Sequence, residues 1–220
     1  MLAKQFIKDV IPPLKQSDTG LKALGWMEEF RISQLPIING NEFVGLITEE
    51  DILNFNDTGQ PISQYQLSLI RPFIFDYQHI YDAIKLIGEY KIGIVPVINE
   101  QKEYLGVITS QEIMENFSSI SAIQNPGGIL TIDLNIHDYS MTQIANIIES
   151  DNVSILSSYI SSPADATKLE LTLKLNKSDL SRIVASFERY NYTVRATEAA
   201  SEYSADLKNR FDSFMNYLNI

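Results

Sequence analysis

The sequence predicts an α/β (α+β) protein in which two similar half-units share one core, followed by a βαββαβ domain and a C-terminal helix. Three observations predict it: an internal repeat in the first half, a polar break that ends in Pro126-Gly127-Gly128, and an ordered succession of strand and helix patterns after that break. At 220 residues the chain is longer than one core of about 100–150 residues uses, so more than one domain is expected.

The repeat comes first. Setting RISQLPIINGNEFVGLITEEDIL (31–53) over KIGIVPVINEQKEYLGVITSQEIM (91–114) pairs Pro36 with Pro96, Ile38 with Ile98 and Asn39 with Asn99. After a one-residue insertion in the turn, Gly45 meets Gly106, Thr48 meets Thr109, Asp51 meets Glu112 and Ile52 meets Ile113. Upstream, Pro12 pairs with Pro72 and Ala23 with Ala83, beside LKALGWMEEF and YDAIKLIGEY, whose apolar residues recur at three or four and predict helices. Each copy therefore reads as a short strand, a helix, two apolar strands around a polar turn (NGNE, NEQKE), and a second helix opened by the threonine. A unit that small buries too little surface alone, so two copies packing sheet to sheet is the natural way to complete one core.

The boundaries expected from this pattern are 1–58 and 59–118 for the half-units, 119–128 for a linker, 129–198 for the second domain and 199–220 for the last helix. SSISAIQNPGG (118–128) is small and polar, which marks the linker. Beyond it ILTIDLNI, VSILSSYISS, KLELTLKLN and YTVRAT read as strands, and SMTQIANIIES and SDLSRIVASFERY as helices, the second with Ser178 as its cap. That order is the ferredoxin-like split. In the tail, Tyr203, Leu207, Phe211, Phe214 and Leu218 fall on one stripe of a helix, which predicts a partner surface on its own domain, on a dimer mate or on the repeat pair.

Charge and composition exclude several classes. The chain has 17 Lys+Arg against 28 Asp+Glu, a formal charge of -11, with the basic residues scattered singly, so nucleic acid is an improbable partner. Cysteine is absent, which rules out disulfides and a thiolate nucleophile and suits a reducing, cytoplasmic compartment. No stretch approaches the roughly 18 apolar residues of a membrane span, nor does the start MLAKQFIKDVIPP read as a signal peptide. No partner in a membrane is expected.

The motifs QLPII with GLITEED, and IVPVI with GVITSQE, resemble the cystathionine-beta-synthase (CBS) domain, whose repeats carry a proline-containing strand, a Gly-apolar-apolar-Thr/Ser strand end and an acid three residues later. The resemblance covers roughly residues 1–118. It implies a tandem CBS pair, or Bateman module, often dimeric, with clefts that commonly bind adenosine-containing ligands.

Taken alone, Thr-x-x-acid is a capping box, the threonine oxygen accepting the N3 amide proton and the acid reaching back. Both roles can coexist, because a helix N-terminus suits phosphate and a carboxylate one turn in can accept both hydrogen bonds of a ribose diol. The resemblance therefore points to Thr48 and Asp51 for one cleft, the better candidate, and to Thr109 and Glu112 for the other. Pro36 and Pro96 are expected to end strand hydrogen bonding and free neighbouring backbone groups for the adenine edge. Arg31, Lys91 and Arg71 are the candidate phosphate contacts, each also readable as plain surface charge. One or two such cations suit a monophosphate, so AMP or adenosine is expected ahead of ATP, which in a chain of charge -11 would want Mg2+ or more cations. No cofactor beyond this regulatory ligand is expected.

The last domain resembles an ACT domain, a regulatory fold that often binds amino acids at domain interfaces. Binding members carry Asp-x-Pro-Gly or similar after the first strand, where this chain has Asp138-Tyr139-Ser140-Met141, so an architectural or dimerising role is expected. Catalytic equipment is sparse. His79 and His137 fall in different domains without metal-ligand spacing, Trp26 reads as a helix-packing residue, and no nucleophile elbow, P-loop or dinucleotide fingerprint is present. Glu49, Glu50 and Asp51 open a helix, where the dipole favours each acid by about 0.3–1 kcal/mol. The reading is a non-catalytic regulatory protein, a homodimer with a downstream protein target. Its competitors are a structural interaction protein with vestigial clefts, and amino-acid sensing of the acetoin-utilisation type that joins the same two modules.

Overall fold

The computed structural model describes residues 1–197 apart from 9, 66, 68, 121 and 162–166. Its contacts divide the chain into two compact units, one spanning Met1–Asn116 and the other beginning at Phe117.

In the first unit the two half-units follow one path. The first runs β1 (Leu14–Lys15), α1 (Gly20–Phe30), β2 (Gln34–Asn39), β3 (Glu42–Thr48) and α2 (Glu49–Leu53). The second runs β4 (Ile74–Phe75), α3 (Ile80–Tyr90), β5 (Ile94–Ile98), β6 (Tyr104–Thr109) and α4 (Ser110–Ile120), whose last turn from Phe117 belongs to the second unit. Thr19 Oγ1 accepts from Lys22 N at 3.2 Å and so starts α1. His79 Nδ1 accepts from Tyr81 N at 3.3 Å at the start of α3. Both α1 and α3 end on a left-handed residue, Arg31 and Lys91, each at φ 54°.

Each half-unit has a three-stranded sheet, order β1-β2-β3 and β4-β5-β6, with the first pair parallel and the second antiparallel. Even the irregularity repeats, a register shift at Ile37/Ile38 and at Val97/Ile98. The prolines correct an expectation. Pro36 stands opposite Leu46 and Pro96 opposite Val107, with ladder partners on both sides, so neither ends its strand. The parallel neighbour pairs only from Ile37 in one sheet and from Val97 in the other, so each proline sits where its strand has not yet gained a second partner and a missing N–H is tolerated.

The half-units exchange their lead-in segments. Ala3 N donates to Gln78 O at 2.8 Å and Lys8 N to Val107 O at 3.0 Å, so the N-terminal segment lies on the second half-unit. Ser63 N donates to Gln16 O at 3.0 Å and Leu46 N to Ile70 O at 2.9 Å, so the connection between repeats lies on the first. Gln34 Oε1 accepts from Gly93 N at 3.1 Å where β2 meets β5. A single core results, in which Leu14, Ile37 and Ile47 pack in one cluster with Ile74, Val97 and Ile108. Full burial of each such side chain is worth about 1.5–3 kcal/mol.

The second unit contains β7 (Ile129–Asn135), α5 (Met141–Glu149), β8 (Ile155–Ser161), β9 (Lys168–Leu175), α6 (Ser181–Arg189) and β10 (Thr193–Thr197). The strands pair antiparallel in the order β10-β7-β9-β8, which is the ferredoxin-like arrangement. Alternate residues Leu130, Ile132 and Leu134 of β7 and Leu171, Leu173 and Leu175 of β9 form a core with Ile144, Ile148, Ile183 and Phe187. Ser178 does not cap α6. The N-cap residue is Leu180, and Asp179 Oδ1 just before it accepts from Ser181 N at 3.1 Å and from Ser181 Oγ at 2.7 Å. Helix α4 continues to Ile120, into the stretch expected as linker, and the amphipathic tail beyond Thr197 lies outside the described residues.

Candidate functional site

At the end of β3, Thr48 Oγ1 accepts from Asp51 N at 3.1 Å. Asp51 Oδ2 accepts from Thr48 N at 2.8 Å and from the Thr48 hydroxyl at 2.7 Å, so the first Thr-x-x-acid pair forms a complete capping box. All the recorded bonds to this carboxylate fall on Oδ2, which leaves Oδ1 with acceptor capacity.

The second pair behaves differently. Thr109 Oγ1 accepts from Glu112 N at 3.0 Å, which is half a capping box. The Glu112 carboxylate turns instead to Lys8, with Nζ 3.2 Å from Oε2, and to Asn116, whose Nδ2 donates to Oε1 at 3.0 Å. The cause lies in the exchanged segments: Lys8 bridges to Val107 in the second half-unit, and the matching bridge in the first, to Leu46, is made by Ile70. A cation stands by one acid and an aliphatic side chain at the equivalent position of the other.

A cavity of about 460 Å3 opens beside the first sheet. It is lined by the apolar Ile37, Val44, Leu67 and Leu69 together with Tyr65, Ser63 and Gln16, with Arg71 as its sole cation among the described lining residues. Among the described residues no carboxylate lines it. Thr48 and Asp51 do not line it either. The antiparallel bridge Leu46↔Ile70 carries the connection back past β3 from Arg71 toward the α2 end, where Thr48 lies about 10 Å of strand rise beyond Gly45. Of the nine residues expected from sequence at the site, Arg71 alone reaches this cavity. Arg31 and Lys91 are exposed helix ends, and Pro36 and Pro96 are buried within their strands. Among the cavity residues that sequence reasoning missed is Tyr65, the aromatic one, which lies in the connection outside both repeat motifs.

Trp26 packs partly buried against the core with Lys22 Nζ 4.4 Å from its ring centroid. In the second unit a cavity of about 650 Å3 lies around the β7–α5 connection, with Asp133, Asp138, His137 and Lys168 among its lining. Burial, aided by the Asp138 carboxylate, holds the Tyr192 phenol above its usual range, and its hydroxyl donates to Gln143 Oε1 at 3.1 Å. Among the described residues no group of three or more His, Asp and Glu is placed to hold a metal ion, and no helix is long and apolar enough to cross a membrane.

A duplicated strand–helix–strand–strand–helix unit with exchanged lead-in segments and a Thr-x-x-acid cap in each copy defines the class of module. The CBS domain family model matches residues 7–57 and again 71–119, and the first unit is a tandem pair of CBS domains. The inosine-5'-monophosphate dehydrogenase of Korarchaeum cryptofilum is 27% identical over 135 residues, which is 61% of this chain and 28% of that enzyme. The corresponding enzyme of Methanocaldococcus jannaschii is 24% identical over 152 residues, 68% of this chain and 30% of its own length. The match thus spans less than a third of these curated relatives. Among solved structures, a CBS domain pair/ACT domain protein from Thermotoga maritima aligns with a TM-score of 0.49 at 21% identity, covering 54% of this chain and 98% of that one. CBSX2 in complex with AMP aligns with a TM-score of 0.46 at 21% identity, covering 54% and 97%. The chain therefore carries a tandem pair of CBS domains followed by a C-terminal domain with the ferredoxin-like strand order.

Proposed function

We propose that the protein is a non-catalytic regulatory module whose CBS pair binds an adenosine-containing nucleotide, AMP or adenosine ahead of ATP, and signals by a shift in packing. The observation that carries this reading is the cavity beside the first sheet, with apolar residues to meet a base and, among its described lining residues, one cation in Arg71 and no acid. A single charge-assisted contact, about 1.5–3 kcal/mol, suits one phosphate. In a chain of charge -11, the second and third phosphates of ATP would meet repulsion without further cations. Asp51, with Oδ1 unengaged, and Thr48, which orients it, lie outside the lining of this cavity and are proposed as ribose contacts for a ligand that reaches past it toward the start of α2. Thr109 and Glu112 are the counterparts in the second cleft. Arg31 and Lys91, at helix ends, are the remaining phosphate candidates, and Pro36 and Pro96 shape the strands beside the base. The signal passes to a partner protein or a dimer mate in the cytoplasm through the population of two arrangements.

A nucleotide panel by thermal shift on the wild type and Asp51→Ala tests this. AMP or adenosine is expected to raise the melting temperature of the wild type and to do so less in the variant. If no adenine compound stabilises the wild type at millimolar concentration, the pair is a structural interaction module.

A second reading is favoured by the cavity of about 650 Å3 in the C-terminal domain, whose lining carries charges of both signs in Asp133, Asp138 and Lys168. That lining suits a zwitterion such as a free amino acid, and stabilisation of the chain by any common amino acid would support it.

A further inference from the structure

We propose that Tyr65 is the stacking platform that makes the first CBS cleft selective for a ligand with a planar base, so that the chain binds one nucleotide there. The inference rests on the nucleotide reading above and names the residue that reads the base. Tyr65 follows a 3-10 turn, Ile62–Gln64, in the connection between the repeats. One face of its ring is covered by Phe55, with centroids 3.7 Å apart and planes 3° from parallel. Its hydroxyl donates to Asp57 O and accepts from Asp57 N at 3.3 Å, and its own amide donates to Ile62 O at 3.1 Å. The ring is therefore held by its face, its tip and its backbone before any ligand arrives, and it lines the cavity. Preorganisation of this kind lowers the ordering cost of binding. A base laid between Tyr65 and the aliphatic wall of Ile37, Val44 and Leu69 would stack on a fixed surface, while Arg71 takes the anionic end.

The second half-unit supplies an internal comparison. Its exchanged segment has the same 3-10 turn, Ala3–Gln5, followed by Phe6 where the first has Tyr65. Phe6 is only 5% exposed and belongs to the core. The aromatic that belongs to the core in one copy lines a cavity in the other, so among the described residues the platform has no counterpart in the second half-unit.

Titration calorimetry on the full chain with AMP and with ribose 5-phosphate, which shares sugar and phosphate but lacks the base, tests the assignment. The wild type is expected to bind one AMP per chain. Tyr65→Ala should weaken AMP about tenfold or more and leave ribose 5-phosphate unchanged, while Tyr65→Phe, which keeps the ring, should stay close to the wild type. Tyr65→Leu, which retains apolar bulk should the alanine variant fold poorly, should lose AMP in the same way. AMP bound equally by wild type and variants, an equal loss of both ligands, or two AMP per wild-type chain would overturn the inference while leaving nucleotide binding intact. A wild type that binds no AMP would remove the nucleotide reading and this inference with it.

Discussion

Thr48 and Asp51 close on each other in both directions, Thr48 Oγ1 accepting from Asp51 N at 3.1 Å while Asp51 Oδ2 accepts from Thr48 N at 2.8 Å. With α2 only five residues long, this box is most of what fixes the helix start. Thr48→Ala should therefore cost about 0.5–2 kcal/mol of stability in denaturant titration, independent of any ligand. An unchanged midpoint would show that the start of α2 is held by other contacts.

Lys8 and Glu112 make an ion pair at 3.2 Å with the lysine side chain 52% exposed. Pairs of that exposure are worth about 0.2–1 kcal/mol and weaken with salt. A double-mutant cycle with Lys8→Met and Glu112→Gln should return a coupling in that range at low ionic strength and less at 1 M salt, a concentration at which the Debye length is about 3 Å. Because Asp51 has no such cation beside it, the matching cycle of Ile70→Met with Asp51→Asn should show no salt dependence.

Two glycine classes predict opposite signs. Gly127 has φ +148°, and a Cβ there would come 1.8 Å from Leu175 O. Gly127→Ala should unfold the C-terminal unit preferentially, at a cost above the about 1–3 kcal/mol of ordinary overpacking, because backbone cannot rotate aside. Gly88, inside α3, has nothing within 4 Å of its added Cβ. Gly88→Ala should stabilise the first unit by about 0.5–1 kcal/mol. Separate melting of the two units by differential calorimetry checks both.

Asp18 carries a pH dependence. Burial pushes its carboxyl up, but the Lys22 ammonium at 2.7 Å, the Lys15 amide at 2.8 Å and both lysine charges outweigh that and hold it below the usual carboxylate range. A carboxylate lowered in the folded state adds stability above its unfolded value of about 3.9, and that stability is lost as pH falls through the lower folded value. Wild type should therefore lose stability more steeply than Asp18→Asn below about pH 4. Parallel pH profiles would remove Asp18 from the acid response. The equivalent position in the second half-unit is Gln78, whose Oε1 accepts from Phe75 N at 2.7 Å, so an uncharged amide does there what the Asp18 carboxylate does in the first.

The repeat was legible because equivalent residues recur in order, and the elements they predict fold as two copies of one path around one core. The ferredoxin-like order was legible for a related reason, since β7 alternates strictly in burial and the leucines of β9 recur at every second position. Chain exchange was not. Which half-unit a lead-in segment lies on depends on contacts such as Lys8 with Val107 and Ile70 with Leu46, far apart in sequence. For the same reason Tyr65 escaped notice: a lone tyrosine in a connection has no periodicity, and its surroundings are set by Phe55 and the Asp57 backbone after folding. The prolines were misjudged because a missing N–H was expected to end strand hydrogen bonding, whereas the parallel partner pairs only from the next residue onward and the antiparallel ladder continues past each proline.

The most direct measurement of the central claim is calorimetric titration of AMP, and of ATP without magnesium, into the wild type and Arg71→Ala. The account predicts AMP bound more tightly than ATP by the wild type, with AMP affinity falling by about tenfold or more in the variant, as loss of a charge-assisted contact requires. Failure of AMP to bind, or ATP bound more tightly than AMP, would contradict it.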